Sequence, residues 1–273
     1  VAKSLSWLTH GCLLWWACQA WAQPVQLILL QEPLTPSEEV YLTRALNWIV
    51  KLYQRQGLQP TPRLRARIFS TYPAFQSYQQ THRSFQDGSQ PSHSGYYSIG
   101  QQELVTWRKR GLLPLFIHES QHALLRSDFA RPPKWINEGL SECFEGFDFS
   151  QELPKPLPQA PRLRKVKRLL GDDFGQRVLE VTTMSERDFN RWANDSGLDS
   201  YTRSWALVYF LWSQPDGEDH LGELLRCLKR GDDVGEILDR LVEGSLEEQL
   251  VDFYRQLPDP PPLTRDPFWG GAR

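Results

Sequence analysis

The sequence predicts an α+β chain with a small N-terminal mixed sheet and helices, an active-site-like helix in the middle and a mostly helical C-terminal lobe. Three observations carry this. Every segment of strand character lies before Trp107, apolar residues recur at helical spacing from Leu112 almost to the end, and 40% hydrophobic residues over 273 positions supply one large core or two small lobes.

The first 22 residues differ in kind from the rest. Lys3 is their only charge; Leu5, Trp7, Leu8, Leu13, Leu14, Trp15 and Trp16 follow, and Ala20-Trp21-Ala22 closes the stretch. A basic start, a short apolar run and a small-x-small site form the layout of a secretory signal, so the mature chain is expected to be exported, secreted or periplasmic, after cleavage near Ala22. A retained anchor helix is the competing reading, and a lipid-modified Cys18 beside the bulky Trp15 and Trp16 ranks last. No later window approaches ~18 uninterrupted apolar residues, so the mature chain is expected to hold no transmembrane segment. Cleavage would also remove Cys12 and Cys18, leaving Cys143 and Cys227. These two can pair or remain buried thiols, and a four-cysteine zinc site is excluded.

Val25–Leu30 reads as a buried strand. Ser37–Gln56 reads as an amphipathic helix with Ser37 as N-cap, Gly57 as stop, and Val40, Leu42, Ala45, Leu46, Ile49, Val50 and Leu52 inside. Leu64, Ala66 and Ile68 alternate with Arg65 and Arg67 as in a half-buried strand, and a short helix spans Tyr72–Gln80. Tyr96–Ile99 and Glu103–Trp107 flank Gly100 as a hairpin or as two edge strands. Helices are then expected at 112–127, 133–146, 161–170, 200–214, 217–230, 233–242 and 245–256. The resulting division is a signal over 1–22, an α+β lobe over 23–153, a helical lobe over 154–257 and a flexible tail over 258–273. Pro154–Pro161 is the candidate hinge.

With 31 basic and 33 acidic residues interspersed and a net charge of −2, the chain lacks the positive field that nucleic acid demands. Arg162, Arg164, Lys165, Lys167 and Arg168 cluster on one helix, and such a run is ordinarily a solvated face.

Chemistry concentrates in His118-Glu119-Ser120-Gln121-His122. Residues four apart share a helix face, so His118 and His122 can direct imidazole nitrogens at one metal ion, with Glu119 projecting about 100° round, within reach of a water there. A zinc site of this kind needs a third protein ligand. Asp128 lies six residues beyond His122, but that geometry needs a sharp turn, and Leu125 stands where glycine is normally found. The other candidate is Glu138, in Trp135-Ile136-Asn137-Glu138-Gly139-Leu140-Ser141-Glu142. Pro133 suits a first helical turn and Gly146 an end, so a second helix can return beside the first and present Glu138. Glu142, one turn later on the same face, is placed to accept the outer N–H of a ligating histidine.

The pair His118-Glu119-x-x-His122 and Trp135-x-Asn137-Glu138-Gly139-x-Ser141 resembles the gluzincin metallopeptidases, most of all the bacterial proteins called peptidase MA-like. The resemblance extends loosely over residues 60–215, with its specific motifs confined to 118–142. It implies a zincin-like fold, Zn2+ held by His118, His122 and Glu138, and a peptide or protein substrate. Only 15 residues separate His122 from Glu138, fewer than in the best-known branches, so substrate pocket and specificity do not carry over. In such a centre Glu119 takes the proton of the attacking water and passes it to the leaving amine. Tyr201, in Tyr201-Thr202-Arg203-Ser204-Trp205, resembles a stretch of peptidase MA-like proteins and is the candidate donor to the developing oxyanion, with His220 an alternative and plain core packing the competing reading. The Tyr96–Trp107 strands can pair with an extended peptide. Two other classes fit the same ligands: a zinc-holding binding or scaffold protein, and a zinc hydrolase of another amide such as a cell-wall cross-link. Intact Glu119 favours an enzyme, because a binder has no use for it.

Overall fold

The computed structural model describes residues 24–61, 63–82, 92, 94–152, 154–193, 197, 199–242 and 244–259. The expected signal and residues 260–273 of the expected tail lie outside the described residues.

Four strands form one mixed sheet in the order β1-β2-β4-β3. β1 (Gln26–Gln31), β2 (Arg63–Phe69) and β4 (Glu103–Trp107) run parallel, and β3 (Gly95–Ser98) pairs antiparallel with β4, Tyr96 opposite Val105. Parallel neighbours need a crossover, which α1 (Pro36–Arg55) and α2 (Tyr72–His82) supply. The hairpin is thus β3–β4, and of the two only β3 is an edge strand.

Two details of α1 differ from expectation. Its cap is Thr35, not Ser37: the Thr35 hydroxyl accepts from the Glu38 N–H, and the Glu38 carboxylate accepts from the Thr35 N–H at 2.8 Å, with Pro36 preset for the first turn. Val40 is 62% exposed, because it lies about 200° round the helix from Leu42, on the opposite face to the buried stripe.

A glycine in the left-handed region, Gly111 at φ +77°, turns the chain from β4 into α3 (Leu112–Arg126). This helix lies against β3, β4 and α1; α4 (Lys134–Glu145) lies beside α3, and α8 (Ser200–Ser213) beside α4. One continuous apolar core runs through all of them. Gly139 permits the α4–α8 approach: a Cβ there would stand 2.7 Å from the Ser204 carbonyl oxygen. At the C-terminal end of α4, Phe144 and Phe147 meet Trp48 of α1 and Trp212 of α8 at centroid distances of 5.0 to 6.3 Å. Each such pair adds about 0.5–1.5 kcal/mol beyond its area, which fixes the C-terminal end of α4 against α1 and α8.

The remaining helices are α5 (Ala160–Leu169), α6 (Phe174–Leu179), α7 (Glu186–Trp192), α9 (Gly217–Arg230), α10 (Val234–Leu241) and α11 (Leu246–Gln256). α6 and α7 occupy a stretch the periodicity left unassigned; one or two turns are too short to show a repeat. The proline-rich segment folds back on the end of α4, where the Leu157 N–H donates to the Gly146 carbonyl. The solvated-face reading of α5 is corrected for three of its cations: Arg162 pairs with Glu142, Lys165 with Asp199, and Lys167 with the Leu257 carbonyl. Cys143 and Cys227 are buried free thiols. Among the described residues no helix is long and apolar enough to cross a membrane.

Candidate metal centre

His118 and Glu119 are buried on α3 and His122 is half-buried there, and α4 brings Glu138 against them. Glu138 is 3% exposed. Its Oε2 lies 3.4 Å from His118 Nε2 and 3.7 Å from His122 Nε2, and the three residues each offer a ligand atom within 4.8 Å of the others. Metal–ligand bonds of 2.0–2.2 Å in a tetrahedron put ligand atoms about 3.3–3.6 Å apart. The spacing fits a small metal ion.

The hydrogen bonds fix what these atoms offer. Ser141 Oγ donates its single hydrogen to the Asn137 carbonyl at 2.9 Å, so toward His122 Nδ1, 3.2 Å away, it accepts. His118 Nδ1 donates to Glu145 Oε1 at 2.6 Å. Both imidazoles therefore carry their Nδ1 hydrogen outward and turn Nε2 toward Glu138, where in the neutral ring it offers a lone pair. Glu138 Oε2 is buried without a hydrogen-bond partner. Two imidazole nitrogens and a carboxylate oxygen converge on one point, which a cation, or a proton on His118, would satisfy, and a buried carboxylate oxygen left bare is costly.

The titration directions agree. Burial opposes the charged form of His118, but Glu138 and Glu145 raise its pKa above the ordinary value, so a proton there stands in for the cation. Burial lowers His122. Burial also works against the Glu138 carboxylate, and His122, Lys134 and His118 outweigh it and hold its pKa low. Glu119 is 7% exposed and makes no hydrogen bond or ion pair with the described residues.

Residues 115–230 match the family DUF1570, described as a protein of unknown function. No curated protein matches the chain. The DUF1570 match spans α3 to α9, so every residue of the centre falls inside it, and the description attaches no activity to them.

Within the DUF1570 region the surroundings of the centre differ in part from expectation. The contact expected of Glu142 is made by Glu145. Glu142 instead accepts from Arg162 Nε at 2.8 Å, and Arg162 Nη1 reaches Thr202 Oγ1 at 3.3 Å, so this carboxylate links α4 to α5 and α8. Asp128 is turned away, accepting from Lys229 at 2.6 Å and from the Gln59 N–H at 2.7 Å. Tyr201 opens α8 with its ring edge-on to Phe189 at 5.5 Å; the Glu138 charge first, then burial and the charges of Glu142 and Glu119, raise its phenol pKa. His220 belongs to the first turn of α9, beyond the far end of α8, and fourteen residues of helix put that end about 20 Å from Tyr201. Sequence reasoning missed Lys134, whose Nζ lies 2.7 Å from Glu138 Oε1, although the i,i+4 spacing was there to read.

Proposed function

We propose that this chain is a zinc-dependent peptidase of gluzincin type that acts after export from the cytoplasm. The observation that carries the proposal is the bare Glu138 Oε2 facing two imidazole Nε2 atoms, with the unpartnered Glu119 one residue from His118. His118, His122 and Glu138 would hold the ion. Bound zinc supplies Lewis acidity, lowering the pKa of water and polarising a carbonyl.

The chain's own residues do the rest. Glu145 and Ser141 lock the histidine tautomers, so both Nε2 lone pairs are ready without rearrangement. Glu119, free of protein partners, accepts a proton from the attacking water and delivers it to the departing amine. Tyr201, its O–H kept protonated by the carboxylates around it, is the candidate donor to the oxygen on which charge develops.

The test is metal content and chelator-sensitive cleavage of a mixed peptide library by wild type, Glu119→Gln and Glu138→Ala. Glu119→Gln is expected to keep zinc and lose ~10²–10⁴-fold in rate; Glu138→Ala is expected to lose both. Full metal retention by Glu138→Ala sinks Glu138 as a ligand. Stoichiometric zinc without cleavage in wild type favours a binding protein, and cleavage confined to cell-wall cross-links favours another amidase.

A further inference from the structure

Lys134 is the first residue of α4 and the cation nearest the centre. A positive charge in a first turn faces the positive end of the helix dipole, and a lysine preceding its glutamate by four is the weaker order of that pair. α1 opens with Glu38 and Glu39, α9 with Glu218 and Asp219, and α11 with Glu247 and Glu248, as that dipole favours, whereas α2, α3, α5, α6 and α8 have no acidic residue there and α5 carries Arg162 in its first turn. α4 has no acidic residue in its first turn, and its Pro133 cap makes no side-chain bond. Helix stability therefore does not account for this lysine.

Its contact does. Nζ lies 2.7 Å from Glu138 Oε1, whereas Oε2 of the same carboxylate faces the two histidines. A carboxylate beside a metal ion can bind through one oxygen or both. An ammonium held on Oε1 removes that choice: Oε2 alone is offered, and one position around the ion stays open for water or substrate.

We propose that Lys134 is a positioning residue that restricts Glu138 to one-oxygen coordination and so keeps the centre four-coordinate. The inference rests on the metal reading above and deepens it. Lys134 is 29% exposed, and its ion pair among the described residues is with Glu138.

Metal-free wild type, Lys134→Met and Lys134→Arg would be titrated with Co2+ and the visible d–d absorption recorded, alongside zinc affinity by chelator competition. Lys134→Met keeps the length and removes the charge. Its cobalt bands are expected to weaken and shift as coordination number rises, with zinc bound ~10–100-fold less tightly. Lys134→Arg, which keeps charge and donors, is expected to restore the wild-type bands. Wild-type bands in Lys134→Met overturn the inference, as do equal changes in both variants, which would mark a merely structural side chain. Should Lys134→Met not fold, Lys134→Gln carries the same expectation. If wild type itself takes up no cobalt, the metal reading falls and this one with it; cobalt uptake by wild type with an indifferent lysine overturns only the role of Lys134.

Discussion

Two carboxylates are almost equally hidden in this molecule, and they end differently. Glu103 opens β4 at 1% exposure, and both its oxygens are answered: Arg67 grips them at 3.1 and 3.2 Å, and the Tyr78 hydroxyl donates to Oε1. Glu138, at 3%, has Lys134 on one oxygen and, on the other, two imidazole nitrogens at 3.4 and 3.7 Å but no hydrogen bond. A buried charge whose hydrogen bonds are complete serves the fold, because burial without partners would cost more than the contact returns. One left incomplete beside two lone pairs is open to a ligand. Saturation, more than burial, separates the two carboxylates.

The sharpest way to break this contrast is to remove each in turn. Glu103→Ala takes the shared carboxylate from Arg67, itself 20% exposed, and from Tyr78, and is expected to cost about 1.5–3 kcal/mol of unfolding free energy while leaving metal stoichiometry unchanged. Glu138→Ala is expected to abolish metal binding. Denaturant melts of the metal-free proteins, with elemental analysis of the loaded ones, measure both. Metal loss in Glu103→Ala at unchanged stability would erase the distinction.

A smaller effect distinguishes the carboxylates of α4 itself. Glu145 orients His118 directly, whereas Glu142 faces Arg162. Glu145→Gln is expected to weaken zinc binding by ~10–100-fold, about 1.4–2.8 kcal/mol. Glu142→Gln is expected to change affinity less and to loosen the α4–α5 contact. Chelator competition on the pair decides it, and the reverse ranking would restore the assignment read from the sequence.

That reversal marks where the sequence stopped being legible. His118 and His122 follow from helical spacing, and Glu138 is a candidate because a second helix can return beside α3 and because the gluzincin resemblance implies it. Whether Glu142 or Glu145 meets His118 depends on how α4 crosses α3, since positions 138, 142 and 145 all fall on one side of the helix. The sheet shows the same limit. Alternation revealed β2 and the hairpin, but the order β1-β2-β4-β3 depends on crossovers that no strand encodes alone. Of the basic run on α5, Arg162, Lys165 and Lys167 read as solvated only because Glu142, Asp199 and the Leu257 carbonyl are distant in sequence. The α1 cap, by contrast, was readable: Thr35-x-x-Glu38 is a capping box, and Ser37 was merely closer to the apolar run.

Glu38 sets the small end of the scale, a carboxylate fully answered but near the surface. Its partners are the Thr35 N–H at 2.8 Å and Arg108 Nη1 at 3.0 Å. Burial opposes its ionisation, and these bonds outweigh it, so its pKa lies below the ordinary value of 4.5. A lowered pKa in the folded state means the contribution is fully present above the unfolded value and is lost as pH falls through the folded one. Wild type is therefore expected to exceed Glu38→Gln by about 0.5–1 kcal/mol near neutrality, with the gap closing as pH drops below about 4.5. Urea melts of both proteins from pH 7 to pH 3 measure it. A gap that does not change with pH would mean that the amide, which can still accept from the Thr35 N–H, differs from the carboxylate in packing alone, and that completing a carboxylate at the surface does not stabilise its charge.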